Sequence, residues 1–164
     1  ATGLQLVVMG DIDVTVDGQT IDFSECWTYK GLMVTDVPNL ISTFGYINAS
    51  WTLRADLTAE WLCRLLNHMN SMDYQKVVPE LPNNLSDMSA RPWISGFNPG
   101  YMERVMHLMP KQGDREPWIN PQNYFKDRKM FRRMEIEDGI LRFSKGSATS
   151  PDNTSDVKLN SQVI

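Results

Sequence analysis

The longest regular pattern along the chain is a helical one. Between residues 50 and 69 apolar side chains recur every three or four positions, which is the spacing of one face of an α-helix. The apolar positions are Trp51, Ala55, Leu57, Trp61, Leu62, Leu65, Leu66 and Met69, and Arg54, Asp56, Glu60 and Arg64 lie between them. The pattern predicts one long amphipathic helix.

Apolar and polar residues alternate on either side of a turn in the stretch IDVTVDGQTIDF, from Ile12 to Phe23. Asp17-Gly18 is a dipeptide typical of a two-residue hairpin turn. Such a turn pairs Val14 with Ile21 and Ile12 with Phe23, so that one face of the hairpin is apolar. We therefore predict a β-hairpin here.

The same turn dipeptide recurs at Asp138-Gly139, where it aligns Ile136 with Leu141 and Glu135 with Arg142. These alignments predict a second, closing hairpin.

The remaining segments predict shorter or irregular structure. One helix is expected from Asn98-Pro99 through Leu108, and another after Asn120, with Pro121 at its first position, where a missing N–H costs nothing. Residues 70–97 are rich in Pro, Asn, Ser and Asp and predict a long irregular excursion. Residues 144–164 have too little apolar content to fold alone and predict a flexible tail.

An uncharged run extends from Val37 to Leu53, although Asp, Glu, Lys and Arg make up 22% of the chain. The run is too polar for a membrane span, which needs about 20 mainly apolar residues. We predict a buried strand over Leu40–Phe44, a turn at Gly45-Tyr46, and a helix capped by Asn48 or Ser50.

We call residues 42–57, STFGYINASWTLRADL, the joint, because they connect this strand to the long helix. The first turn of the helix offers free backbone N–H groups, which favour an uncharged or anionic neighbour. The alternative is an ordinary capped and buried helix start with no ligand.

Length, charge and cysteines narrow the class of protein. At 164 residues the chain is about one domain. A net charge of -4 argues against a nucleic-acid surface, which needs clustered Lys and Arg. The basic cluster KDRKMFRR, 126–133, is expected on a solvated helix face.

The chain has two cysteines, Cys26 and Cys63, and no signal peptide precedes them. These two features predict a reducing, cytoplasmic location.

Catalytic motifs are weak. Asp11, Asp13 and Thr15 match the D-x-D-x-T pattern of aspartyl-phosphate phosphatases, but the alternation of one hairpin strand also explains them. Cys63 and His68 lie about 140° apart around the helix and do not share a metal ion. The sequence contains no P-loop, CxxC pair, G-x-S-x-G, H-E-x-x-H or G-x-G-x-x-G. We assign no catalytic residue and no metal ligand.

Two stretches resemble the class B flavoprotein monooxygenases, the superfamily of flavin-containing and Baeyer-Villiger monooxygenases. They are YKGLMVTDVPNLISTFGYINASWTLRADLTAEWLCRLLNHM, 29–69, and GYMERVMHLMPKQGDREPWINPQNYFKD, 100–127. Their most specific parts are NASWTLRADL and MPKQG, and the opening ATG resembles the linker that follows the NADPH domain. The resemblance spans about residues 1–143.

The resemblance implies the C-terminal part of an FAD- and NADPH-dependent enzyme that inserts one oxygen atom of O2 into a small organic substrate through a peroxyflavin. The implied fold is α+β: a small β-sheet with hairpins packed on a long helix, as the C-terminal half of an FAD-binding domain (1–69), then an irregular helical extension (70–143).

The missing N-terminal FAD and NADPH domains are then the expected partners, because the glycine-rich fingerprints would lie before Ala1. Alone, the chain is expected to be inactive, to hold no cofactor and to self-associate through an apolar patch around Phe44 and Trp51.

The resemblance also implies which side chains border the flavin: Gly45, Tyr46, Asn48, Ala49, Ser50, Trp51 and Thr52. Candidates for the substrate side are Arg91, Trp93 and Tyr101. A second interpretation of the same residues is a free-standing, non-catalytic interaction or structural module derived from a monooxygenase.

Overall fold

The computed structural model describes residues 7–82, 87–96 and 99–146, and this part of the chain contains three small antiparallel sheets and three α-helices. The strands are β1 (Thr15–Val16), β2 (Gln19–Thr20), β3 (Thr28–Tyr29), β4 (Met33–Val34), β5 (Lys76–Pro79) and β6 (Leu141–Ser144), and the helices are α1 (Trp51–Met72), α2 (Gly100–Glu103) and α3 (Tyr124–Arg133). The mixed α+β class is confirmed. Four predicted features lie wholly or partly outside these ranges: the opening ATG, Asn98, part of the predicted excursion, and tail residues 147–164.

The predicted long helix is confirmed as α1. Its side chains Leu57, Trp61, Leu65 and Met69, which are spaced four residues apart, are all buried. They pack in one core with Tyr29, Trp118 and Phe131. The helix ends at Asp73, whose backbone adopts the left-handed conformation that commonly terminates helices. This core therefore joins residues from both halves of the chain.

Arg54, expected on the polar side of α1, is instead buried with 1% of its surface exposed. Its Nη1 lies 2.6 Å from Oδ2 of Asp127 on α3, which is fully buried. Its Nη2 donates to the backbone oxygen of Lys30 at 2.6 Å, and its guanidinium lies over the Phe131 ring. Helix periodicity could not reveal this because the compensating charge is 73 residues away.

The hairpin at Asp17-Gly18 is confirmed, but it is shorter than predicted. β1 pairs with β2, and Ile21 N donates to Val14 O at 2.9 Å, in the predicted register. The outer pair does not form, because Phe23 is buried in a core while Ile12 is 48% exposed.

The second predicted hairpin is wrong. β6 pairs with β5, Leu141 opposite Pro79, and not with residues 135–136. Asp138 is used differently: its carboxylate accepts hydrogen bonds from the Tyr29 hydroxyl at 2.5 Å and from Lys30 Nζ at 2.9 Å. The predicted irregular excursion over 70–97 is wrong at two places: residues 70–72 belong to α1, and residues 76–79 form β5.

The predicted strand Leu40–Phe44 is also wrong, because the segment has no ladder partner. A backbone hydrogen bond connects Ser42 N to Leu32 O at 2.8 Å. The preceding Asn39 has a left-handed backbone and attaches to the edge of β5 through its own side chain, whose Oδ1 accepts from Val77 N. The chain therefore enters the joint as an irregular segment.

The two predicted shorter helices exist with different bounds. The first is reduced to α2 and a 3-10 turn, Met106–Leu108. The second, α3, starts three residues later than predicted, because Asn123 and not Asn120 is the N-cap: Asn123 Oδ1 accepts from Lys126 N. Asn120 is buried and bonded elsewhere.

No helix in residues 7–82, 87–96 and 99–146 combines the length and the apolar content needed to cross a membrane.

We expect Asp127→Ala to destabilise the protein by about 3–5 kcal/mol, because it leaves the Arg54 guanidinium buried without its partner. The double variant R54M/D127L should recover most of that loss, and Asp56→Ala on the exposed side of α1 should cost less than about 0.5 kcal/mol. Urea unfolding measures all three. A loss below about 1 kcal/mol for D127A would contradict the account of the pair.

Candidate functional site

The joint presents the N-terminus of α1 to solvent. Ser50 is the N-cap residue by backbone conformation, but its side chain caps no backbone N–H and lies instead 2.7 Å from Thr52 Oγ1. Asn48, Ala49, Ser50 and Thr52 are all exposed. Apart from Leu53 N, which donates to Ser50 O at 3.3 Å, the first-turn N–H groups of α1 are therefore available to a ligand or to a further part of a protein.

Gly45 is required by the close approach of Trp51. A Cβ atom at position 45 would overlap Cγ and Cδ2 of the Trp51 indole. The indole also packs against the Phe44 ring, with centroids 5.1 Å apart, although 55% of the Trp51 surface is exposed. The part of the joint that precedes α1 therefore folds back against Trp51, the first residue of the helix.

An apolar cavity of about 240 Å³ adjoins the joint. Its lining residues are Val7, Val8, Met9, Gly10, Thr28, Gly31, Met33, Val34, Ser42, Thr43, Phe44, Trp51, Trp93, Met109 and Pro110, and none of them is ionisable. Burial of an unpaired ion is costly. The cavity is therefore suited to an uncharged group.

Phe44 and Trp51 divide this cavity from a second one of about 200 Å³. Phe44 packs edge-on against Trp93, with ring centroids 4.6 Å apart, a geometry that aromatic pairs favour. The second cavity is completed by Tyr46, Ile47, Tyr101 and Met102.

Gln112 fixes the segment that carries Trp93. Its Nε2 donates to Pro92 O at 2.7 Å and to Trp93 O at 3.2 Å, and its Oε1 accepts from Asn120 N at 3.0 Å. Asn120 Nδ2 donates in turn to Trp93 O at 3.3 Å. Sequence reasoning assigned no role to Gln112, and its one signal was its place in the MPKQG stretch.

The structure brings most of the predicted site residues together, but not all of them. Trp93 lines the apolar cavity and Tyr101 the second one. Arg91 is exposed, lines neither cavity and bonds to Gln112 only through its backbone. Tyr46 is buried, and its hydroxyl lies beside the Arg54–Asp127 pair: burial first, and then the Asp127 carboxylate, raises the pKa of the phenol.

The described residues offer little nucleophilic or metal chemistry. Asp11, Asp13 and Thr15 are exposed on and before the β1 strand. Burial, followed by the nearby Asp36, raises the pKa of the Cys26 thiol to about 11, so it stays protonated and unreactive. Across residues 7–82, 87–96 and 99–146, no group of three or more His, Cys, Asp or Glu could hold a metal ion.

Comparison with curated proteins identifies the class: over about nine-tenths of its length the chain is homologous to part of the FAD-containing monooxygenases. It is 47% identical over 148 residues to FAD-containing monooxygenase EthA of Mycobacterium tuberculosis (strain ATCC 25618 / H37Rv) and 46% identical to EthA of Mycolicibacterium smegmatis. It is 42% identical over 149 residues to the probable FAD-binding monooxygenase AlmA of Acinetobacter baylyi. The predicted resemblance to flavin monooxygenases is confirmed.

These alignments cover 90% or 91% of this chain, which spans about 30% of the length of the curated relatives it matches. No protein-family model matches the chain, and no solved structure matches it significantly.

We expect Gly45→Ala to displace the Trp51 indole, because the new methyl group occupies its position. Tryptophan emission should shift to the red, and its quenching by acrylamide should increase. Gly100→Ala is the matched control, since its Cβ would meet only Arg104 Nη1 at 3.7 Å. Identical emission and quenching in G45A and wild type would show that Trp51 does not rest on Gly45.

Proposed function

We propose that this chain forms a wall of the flavin site and an adjoining substrate cavity in an FAD- and NADPH-dependent monooxygenase. The observation that carries the proposal is an uncharged cavity beside a free helix N-terminus, in a chain whose homologues are named FAD-containing monooxygenases. The chain corresponds to the C-terminal part of such an enzyme, and the remaining domains are its partners.

The residues of the joint fit the ring of FAD. The uncapped N-terminus of α1 favours the negative charge that collects on the pyrimidine side of a flavin when it is reduced. Gly45, Tyr46 and the stretch Asn48–Thr52 would border the ring. No glycine-rich strand-to-helix turn for a pyrophosphate occurs in the described residues, so that part of FAD must be held by the partner domains.

The side chains of this chain bind, orient and exclude water. When bound, FAD reduced by NADPH supplies the activation of O2 and the transfer of one oxygen atom. Phe44, Trp93 and Met109 keep water and ions away from the reacting groups. Gln112 holds Trp93 in place, and no side chain of this chain acts as a nucleophile.

A chimera tests this function. The matching segment of EthA from M. tuberculosis is replaced by this chain, and FAD content and NADPH consumption are measured. We expect a yellow protein with about one FAD per chain that consumes NADPH, whereas the purified 164-residue chain alone should be colourless, because it lacks the pyrophosphate contacts that offset the entropic cost of binding.

A folded chimera without flavin, made beside an EthA control that retains it, would contradict the proposal. That result would favour the non-catalytic interaction module.

A further inference from the structure

We propose that the outer surface of helix α3, together with the groove beside it, binds an acidic segment of another protein. We call this surface the basic face, and its residues are Phe125, Lys126, Arg128, Lys129, Arg132 and Arg133. It includes none of the residues assigned to the flavin site or to the apolar cavity. The inference therefore does not depend on the proposed function.

The basic face carries the positive charges of two lysines and three arginines and no negative charge. The acid of α3, Asp127, is fully buried and paired with Arg54. None of the five cations pairs with a carboxylate in residues 7–82, 87–96 and 99–146. A concentrated positive charge therefore stands on a chain whose net charge is -4.

The stability of α3 accounts for only some of these charges. Arg132 and Arg133 lie in its last turn, where the helix dipole favours cations. Lys126 lies in its first turn, where the same dipole opposes a cation. A negatively charged partner outside the helix would compensate this lysine.

An exposed aromatic ring lies in the middle of the basic face. Phe125, Lys129 and Arg132 lie within about 60° of one another around the helix axis, at about 100° per residue. The Phe125 side chain is the most exposed, with 76% of its surface accessible. Aromatic and arginine side chains are enriched at protein interfaces, and opposite charges guide the choice of partner. The composition of the face is thus that of an interface for an acidic protein.

A groove of about 630 Å³ adjoins the basic face. Lys126, Lys129 and Arg133, which lie three and four residues apart on α3, form its cationic wall. Its apolar lining residues are Ile119, Pro121, Met130 and Met134. An extended peptide can place acidic side chains on the wall and apolar side chains against this lining.

The carboxylates in the groove indicate which class of anionic partner fits. Asp138 is paired with Lys30 at 2.9 Å, but Glu116 and Glu135 also line the groove. A nucleic acid carries a phosphate at every residue and would meet both glutamates. A bilayer attracts basic segments to its surface and does not enter a groove. A protein segment can place carboxylates against α3 and neutral residues opposite the glutamates, so the observations favour a protein.

Three labelled eight-residue peptides test the inference by fluorescence anisotropy on the purified 164-residue chain, at about 0.15 M salt to screen weak long-range attraction. EDIPELDF is acidic and apolar, QNIPQLNF replaces its carboxylates by amides, and EDSPESDS keeps its charge without its apolar side chains. We expect EDIPELDF to bind saturably and about tenfold tighter than either of the others, because charge and apolar contacts both contribute.

Variants locate the binding on the chain. Reversal of two charges in K129E/R132E should weaken binding of EDIPELDF about tenfold or more, because like charges then face each other. The matched control K76E/R104E makes the same change of charge at exposed positions away from α3 and should change the affinity less than about threefold. If K129E/R132E does not fold, K129Q/R132Q repeats the test with neutral side chains.

Four results would overturn the inference. They are the absence of saturable binding of EDIPELDF, equal affinity for the three peptides, equal weakening by the two double variants, and tighter binding of another anionic partner. For the last comparison, the partners are a short single strand of DNA and vesicles of phosphatidylglycerol. Flavin takes part in none of these measurements, so their failure is distinguishable from failure of the chimera to bind FAD.

Discussion

The rest of the structure is arranged around the ion pair between Arg54 and Asp127, because neither charge can stay buried without the other. Removing two ions from water costs several kcal/mol each, and the close approach of the two charges, at 2.6 Å, offsets part of that cost. Here the contact ties the first turn of α1 to α3 and, through Lys30 O, to the segment between β3 and β4. Helix α1 is thereby fixed at the end that carries the joint.

The site is neutral because its charges are compensated inside the core. Arg54 stands in the first turn of a helix, where a cation is unfavourable. The negative charge of Asp127 compensates the positive charge of Arg54, so the pair adds no net charge next to the cavity. Gln112 and Asn120 both donate side-chain hydrogen bonds to the backbone oxygen of Trp93. The walls that remain are aromatic and aliphatic, which suits a cofactor that performs the chemistry while the protein excludes water.

Local features could be predicted from the sequence, and contacts distant in the sequence could not. Helix α1 and the Asp17-Gly18 hairpin follow from periodicity and turn chemistry within about 20 residues. The strand at Leu40–Phe44 and the hairpin at Asp138-Gly139 fail because Asn39 and Asp138 bond to residues far along the chain. The uncharged run pointed to the joint, but the burial of Arg54 and the role of Gln112 depend on partners that no local pattern contains.

The reduction potential of the flavin in the chimera tests the central claim, that the joint is the flavin wall. Asn48→Asp places a carboxylate beside the ring and disfavours the reduced anion by at least about 1 kcal/mol at 4 Å, even in water-like surroundings. The potential should therefore fall, whereas Asn67→Asp, on the exposed side of α1, should leave it unchanged. An unchanged potential in N48D, or an equal fall in both variants, would contradict the account.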